Sequence, residues 1–85
     1  MISCRYVIST NHGLHAANAM SLSRAASDYQ CKITLESAKG VADCKNVLSL
    51  MSLAAKQGES LILTADGPDE KLAMGYLSGI LRTIL

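Results

Sequence analysis

The sequence has no phenylalanine and no tryptophan, and only three tyrosines among its 85 residues. With aromatics at 4% and apolar residues at 49%, the core has to be built from Leu, Ile, Val, Ala and Met. That apolar share suits a folded globule and argues against a disordered chain. No sign of charge dominates, since eight basic and seven acidic residues leave a formal net charge of +1. The chain therefore lacks the basic footprint that nucleic acid or an anionic membrane would call for. Its cysteines, Cys4, Cys31 and Cys44, are odd in number and not closely paired. This excludes a disulfide framework and a zinc site; buried or half-buried thiols in a reducing cytoplasm are expected. No apolar run is long enough to cross a membrane, and MISCRYVIST has a charge where a signal peptide would be apolar. The expectation is a soluble, cytoplasmic protein with no membrane insertion, formed as one domain over 1–85. A domain this small has little room for a deep catalytic cavity.

What is present is periodic. Ile2, Cys4, Tyr6 and Ile8 alternate with Ser3, Arg5 and Ser9, as in a half-buried strand. Thr10 to Leu14 reads as a loop, and Ala16 to Asp28 as a helix whose inner face is Ala19, Leu22, Ala26 and Tyr29. Cys31, Ile33 and Leu35 alternate with Lys32, Thr34 and Glu36 in a second strand. A turn at Ser37 to Gly40 leads to a short third strand, Val41 to Asp43. Asn46 is a good cap for a short helix from Val47 to about Leu53. Leu61, Leu63 and Ala65 mark a fourth strand after the Lys56-Gln57-Gly58 turn. Asp66-Gly67-Pro68-Asp69-Glu70 then reads as a helix start, with Pro68 suited to the first helical position. Ala73, Met74, Leu77, Ile80, Leu81 and Ile84 give the last helix its core stripe. The order is β-α-β-β-α-β-α, an α+β fold. An antiparallel sheet with helices on one face buries all these stripes, leaving Arg5, Lys32, Thr34 and Glu36 wet on the other.

The stretch NHGLHAANA, residues 11 to 19, is where chemistry can be placed. His15 stands immediately before the first long helix. The first N–H groups of a helix lack internal partners and carry partial positive charge, so they receive anions. That charge disfavours a cation on the ring and leaves an imidazole lone pair as nucleophile. A phosphoryl group on His15 would set its oxygens against the backbone N–H groups of Ala16 and Ala17. Gly13 lets the loop bend. The competing reading is a surface histidine that happens to lie at a cap.

The whole chain resembles the HPr family, the phosphocarrier proteins of the bacterial sugar phosphotransferase system. The resemblance rests on Gly13-Leu14-His15 ahead of an Ala-rich helix and on Lys45-Asn46-Val47-Leu48 ahead of the short one. It is carried further by Lys56-Gln57-Gly58 with Leu61-Ile62-Leu63-Thr64-Ala65, and by Asp66-Gly67-Pro68-Asp69-Glu70. The resemblance implies an open-faced β-sandwich with a four-stranded antiparallel sheet and three helices on one face. It also implies that His15 takes a phosphoryl group from enzyme I, itself charged by phosphoenolpyruvate, and passes it to IIA-type acceptors. The family's usual phosphorylated nitrogen is Nδ1. Such a chain is a carrier that other proteins charge and discharge rather than an enzyme by itself. No metal and no organic cofactor is implied, and a monomer is expected.

The chain also departs from the family. A small residue, an arginine and a proline usually follow the histidine, whereas here Ala16, Ala17 and Asn18 do. A guanidinium there would help to bind the phosphoryl group and balance moving charge. Arg24 does not replace it, since it lies about 10 Å or more along the helix axis. It meets an acidic partner surface or is simply solvated. His12 is a candidate hydrogen-bond donor to the phosphoryl group, or else a solvated loop histidine. Asn46 stands where many Gram-positive members carry a regulatory serine, so that serine is absent. Leu50 and Leu53 are expected in the core. Val47, Leu48 and Met51 then fall toward the surface near Met20, as a partner-docking patch or in part as ordinary core. Three readings follow: a sugar-system phosphocarrier, an HPr-like binding module with weak or no phosphotransfer, and a carrier in a nitrogen-related phosphorelay.

Overall fold

A computed structural model describes residues 1–85. Its elements are β1 (Ile2–Val7), α1 (Ala16–Ser27), β2 (Lys32–Ser37), β3 (Gly40–Asp43), α2 (Val47–Ser52), β4 (Ser60–Asp66) and α3 (Glu70–Ile84). The sheet order is β1-β4-β2-β3, with every neighbouring pair antiparallel. Hence β1 and β2 run the same way with β4 between them, and β3 and β4 run the same way with β2 between them. Strands of one direction cannot be joined by a tight hairpin. Helix α1 makes the first crossover and α2 the second, and only β2 and β3 form a hairpin.

The alternation fixes which side is covered. Cys4, Leu63, Leu35 and Ala42 make one inward row across all four strands, and Ile2, Ala65 and Ile33 lie in the next. Against them pack Ala19, Leu22 and Ala26 of α1, Leu50 of α2, and Ala73, Leu77 and Leu81 of α3, all buried. On the far side Arg5, Lys32 and Glu36 are exposed and Thr34 is half-buried, as the pattern predicts. Cys31 and Cys44 are buried and Cys4 half-buried, all as free thiols. Burial, and then the Asp43 carboxylate, pushes the Cys44 thiol up to about 12, so its reactive thiolate is scarce at neutral pH.

The start of α3 differs from the expectation. Pro68 is not the first helical residue, because α3 begins at Glu70 and Asp69 is its N-cap. The Asp69 side chain makes no cap bond. It reaches across to the α1–β2 connection and accepts the N–H groups of Gln30 and Cys31 at 2.8 and 2.9 Å. Glu70 instead accepts the Gly67 N–H at 3.1 Å. Gly67 has φ +154°, and a Cβ there would come 2.7 Å from Cys31 Cα, so the two connections touch backbone to backbone. The Gln30 N–H, followed by the Cys31 thiol and N–H, holds the Asp69 carboxyl below its usual range.

The loop between β1 and α1 lies at the sheet end where β1 finishes and β4 starts, since Val7 pairs with Ser60. Its first residues are tied down by bonds from the Ser9 and Thr10 N–H groups to the Leu85 carbonyl, at 2.7 and 2.9 Å. Its last residues are tied to the α2–β4 connection, where Leu14 N–H donates to the Ala55 carbonyl at 2.9 Å. Gly13 has φ +64°, and a Cβ on it would overlap the Ala55 oxygen and lie 2.9 Å from Lys56 Cα. Leu14 itself is 7% exposed and belongs to the core.

Two outcomes are expected. Gly13→Ala should destabilise the fold by on the order of 2–4 kcal/mol, from a left-handed backbone cost plus a backbone overlap, read by urea unfolding. The Asp69 carboxyl has a lowered folded-state pKa, so its stabilisation is present above its unfolded value and lost as pH falls through the folded one. Asp69→Asn should therefore be less stable than the parent at about pH 7, with the gap closing toward about pH 3. A gap that stays constant with pH would refute this role.

Candidate functional site

His15 is the N-cap of α1, with extended backbone at φ −132° and ψ −180°. Its ring is exposed and turned back over the helix, so that Nδ1 accepts the Ala17 N–H at 3.3 Å. A donor pointed at Nδ1 requires a lone pair there, which leaves the ring proton of the neutral form on Nε2. The His15 carbonyl accepts the Ala19 N–H at 2.9 Å and starts the helical ladder. Small residues surround the ring's base, with Ala16 and Ala17 both exposed. The site therefore offers an exposed ring whose Nδ1 lone pair, held by the Ala17 N–H, lies beside the positive end of a twelve-residue helix.

Asn18 completes the cap, and the sequence reading gave it no role. Its Oδ1 accepts the His15 N–H at 2.7 Å and its Nδ2 donates to the Gly13 carbonyl at 2.8 Å. It is 6% exposed. The signal available in the sequence was a polar side chain three residues after the cap, the spacing of a capping box. Ala55 was also missed. It is an alanine in a connection, and nothing local marks its carbonyl as the partner of Leu14.

The other predicted residues divide by distance. His12 is in the same loop, exposed, with its ring 6.1 Å from the His15 ring centre to centre and nearly perpendicular, at 85°. Arg24 sits in the last turn of α1, where a cation suits the negative helix end, and it is not brought to His15. With Ala17, Met20 and Ser21 it borders a shallow depression of about 270 Å³. Helices α1 and α2 contact each other. Met20 on α1 and Leu48 and Met51 on α2 are 47%, 78% and 41% exposed. Val47 differs from the expectation: it is half-buried and packs against the core, because a residue three before Leu50 lies on the same helix face. Asn46 caps α2 as expected, its Oδ1 accepting the Ser49 N–H at 3.1 Å. No cluster of three or more metal-ligating side chains is formed. No helix is long and apolar enough to cross a membrane.

Residues 2–83 match the family described as the PTS HPr component phosphorylation site. The phosphocarrier protein HPr of Haemophilus influenzae is 32% identical over 77 residues, covering 91% of each chain. That of Borreliella burgdorferi is 28% identical over 83 residues, covering 98% of this chain and 96% of its own. Among solved structures, the histidine-containing phosphocarrier protein of Mycoplasma superposes with a TM-score of 0.93 at 26% identity, over 96% of this chain and 93% of its own. HPr of Thermoanaerobacter tengcongensis gives 0.90 at 29%, over 98% and 93%. Another T. tengcongensis HPr structure is described as a dimer, and Crh of Bacillus subtilis as a domain-swapped dimer. A match over nearly the whole chain, the shared fold and a histidine capping the first helix place this protein in the HPr phosphocarrier family of the phosphotransferase system.

Proposed function

We propose that His15 is the phosphoryl carrier, charged by enzyme I and discharged to IIA-type acceptors of the sugar phosphotransferase system. The observation that carries this reading is the Nδ1 lone pair of an exposed ring held against the Ala17 N–H. In the transfer, Nδ1 attacks the phosphorus of a phosphorylated donor. A new N–P bond forms as the bond to the donor's leaving atom breaks. Discharge runs the same exchange toward an acceptor nucleophile. The phosphoryl oxygens then take over the Ala17 N–H and gain the Ala16 N–H, where the helix end favours their charge. His12, its ring 6.1 Å from that of His15 centre to centre, adds a ring N–H from the loop side in this reading. Met20, Leu48 and Met51 form the docking patch, with Val47 at its buried margin and Arg24 meeting an acidic rim of the partner. One chain is the working unit, and the carrier needs no metal or cofactor.

A second reading is favoured by one observation, Ala17 in the place of the usual arginine. With no guanidinium beside His15, a binding module that docks the same partners and carries little flux is the competing assignment. A carrier of a nitrogen-related phosphorelay would share the His15 chemistry and differ in its donor.

Incubation with enzyme I and phosphoenolpyruvate, read by intact mass, should add one acid-labile phosphoryl group that His15→Ala abolishes. Without the guanidinium, charging should be slower than for an arginine-bearing HPr by about tenfold to a thousandfold, and Ala17→Arg should recover much of it. No adduct, on a folded protein and with an enzyme I active on a standard HPr, sinks the carrier reading for that enzyme I. His12→Ala should slow charging by about tenfold if it donates to the phosphoryl group. An unchanged rate removes it from the site.

A further inference from the structure

We propose that Asn18 is the positioning residue of His15, fixing which ring nitrogen is presented at the helix end. The phosphoryl-transfer part of the claim rests on the carrier reading above; the part about the ring does not. Asn18 sits in the first turn of α1 and is 6% exposed, although neighbouring Ala16 and Ala17 are exposed. A buried amide is costly unless its donor and acceptor are both used. Here both are, and both go to the same short stretch of loop. Oδ1 accepts the His15 N–H and Nδ2 donates to the Gly13 carbonyl, on either side of Leu14. Flipping the amide would lose both bonds, so its orientation is determined. The Leu14 N–H is meanwhile held by the Ala55 carbonyl. Residues 13 to 15 are thus gripped by Asn18 from the helix and by Ala55 from the α2–β4 connection.

With its backbone fixed, the His15 side chain has only its own two rotations left. The structure uses them to bring Nδ1 onto the Ala17 N–H. This contact selects the form with the lone pair on Nδ1, the nitrogen that has to attack. The polar atoms of Asn18 bond backbone groups of His15 and Gly13 and make no hydrogen bond to the ring. Its action on the chemistry therefore runs through His15. A capping bond that served stability alone would have no reason to govern the ring tautomer, and this difference is measurable.

The experiment is long-range ¹H–¹⁵N NMR of the histidine rings in the unphosphorylated protein, above the imidazole titration range, for the parent, Asn18→Ala and Asn18→Asp. In the parent, the His15 proton should reside on Nε2. In Asn18→Ala the share on Nδ1 should rise by about three- to tenfold, the effect of loosening one hydrogen bond. His12 should change little. Asn18→Asp keeps the acceptor for the His15 N–H, the bond that holds the ring's own residue, and puts a carboxylate oxygen against the Gly13 carbonyl in place of the donor. Its ring should therefore stay within about twofold of the parent, and it supplies the answer if the alanine variant does not fold. In charging by enzyme I, Asn18→Ala should lower kcat by about tenfold with KM within about twofold, because docking is untouched. An unchanged His15 tautomer in Asn18→Ala overturns the proposal even if Tm falls, as does an Asn18→Asp ring that behaves like the alanine variant's expected one. If the parent itself takes up no phosphoryl group, the carrier reading fails. The tautomer result still decides the role of Asn18.

Discussion

The site depends on a contact between two connections that are far apart in the chain. Gly13 lies so close to Ala55 that no side chain fits between them, and the next N–H, of Leu14, bonds the Ala55 carbonyl. The contact exists because β4 is inserted between β1 and β2, which brings the connection entering β4 beside the loop leaving β1. Ala54, just before it, has φ +47° and turns the chain out of α2 in the left-handed conformation. The Lys39 ammonium holds the Ala54 carbonyl at 2.8 Å, so the β2–β3 turn also supports the connection. Sheet order, hairpin and helix ending thus converge on the adjacent carbonyls of Ala54 and Ala55, and the second of these holds Leu14, the residue before His15. A rigid support matters for a carrier, since a shift of about 1 Å in a reacting group can cost two orders of magnitude in rate.

Electrostatics at this site come from the backbone. No side-chain cation is brought to Nδ1: Ala17 stands in the nearest helical position and Arg24 lies at the other end of α1. Helix N–H groups are fixed dipoles that need no ordering when charge arrives, whereas an arginine side chain would have to be held. They are weaker than a full charge, and the effect fades beyond the first turn. On the carrier reading, a phosphoryl group resting on them alone would be held less strongly and would pass on more readily. The same absence weakens capture from a donor, so the balance between charging and discharge is what the alanine alters.

Local sequence signals carried most of the fold. Period-two alternation located β1, β2 and β4, the turn after β2 located β3, and the inward residues Cys4, Ile33, Leu35, Leu61 and Leu63 follow the alternation. Helix α2 was legible from Asn46, because a cap bond spans only three residues. His15 was legible for the same reason. Contacts that bridge long stretches of chain were not. Asp69 reads as a helix-start residue, yet its carboxylate is taken by Gln30 and Cys31, 39 and 38 residues away. That capture moves the helix start past Pro68. Val47 was expected at the surface, but it stands three residues before buried Leu50 and shares its inward face. The docking role proposed for Met20, Leu48 and Met51 rests on exposure, which a sequence pattern leaves open.

Asn18 shows how a departure from a family pattern can be compensated in place. A proline at this point would supply a fixed φ and no side-chain bond. Asparagine gives up that rigidity at its own residue and restores it three and five residues upstream, on either side of Leu14, through bonds of 2.7 and 2.8 Å. It also retains a peptide N–H at the third helical position, in the turn where an anion would lie. Ala17 removes a charge from the site, while Asn18 adds order and one more backbone donor near it. The two changes are adjacent in sequence and act on the same ring nitrogen. Their effects are therefore expected to couple rather than add, as for any pair of residues sharing one partner.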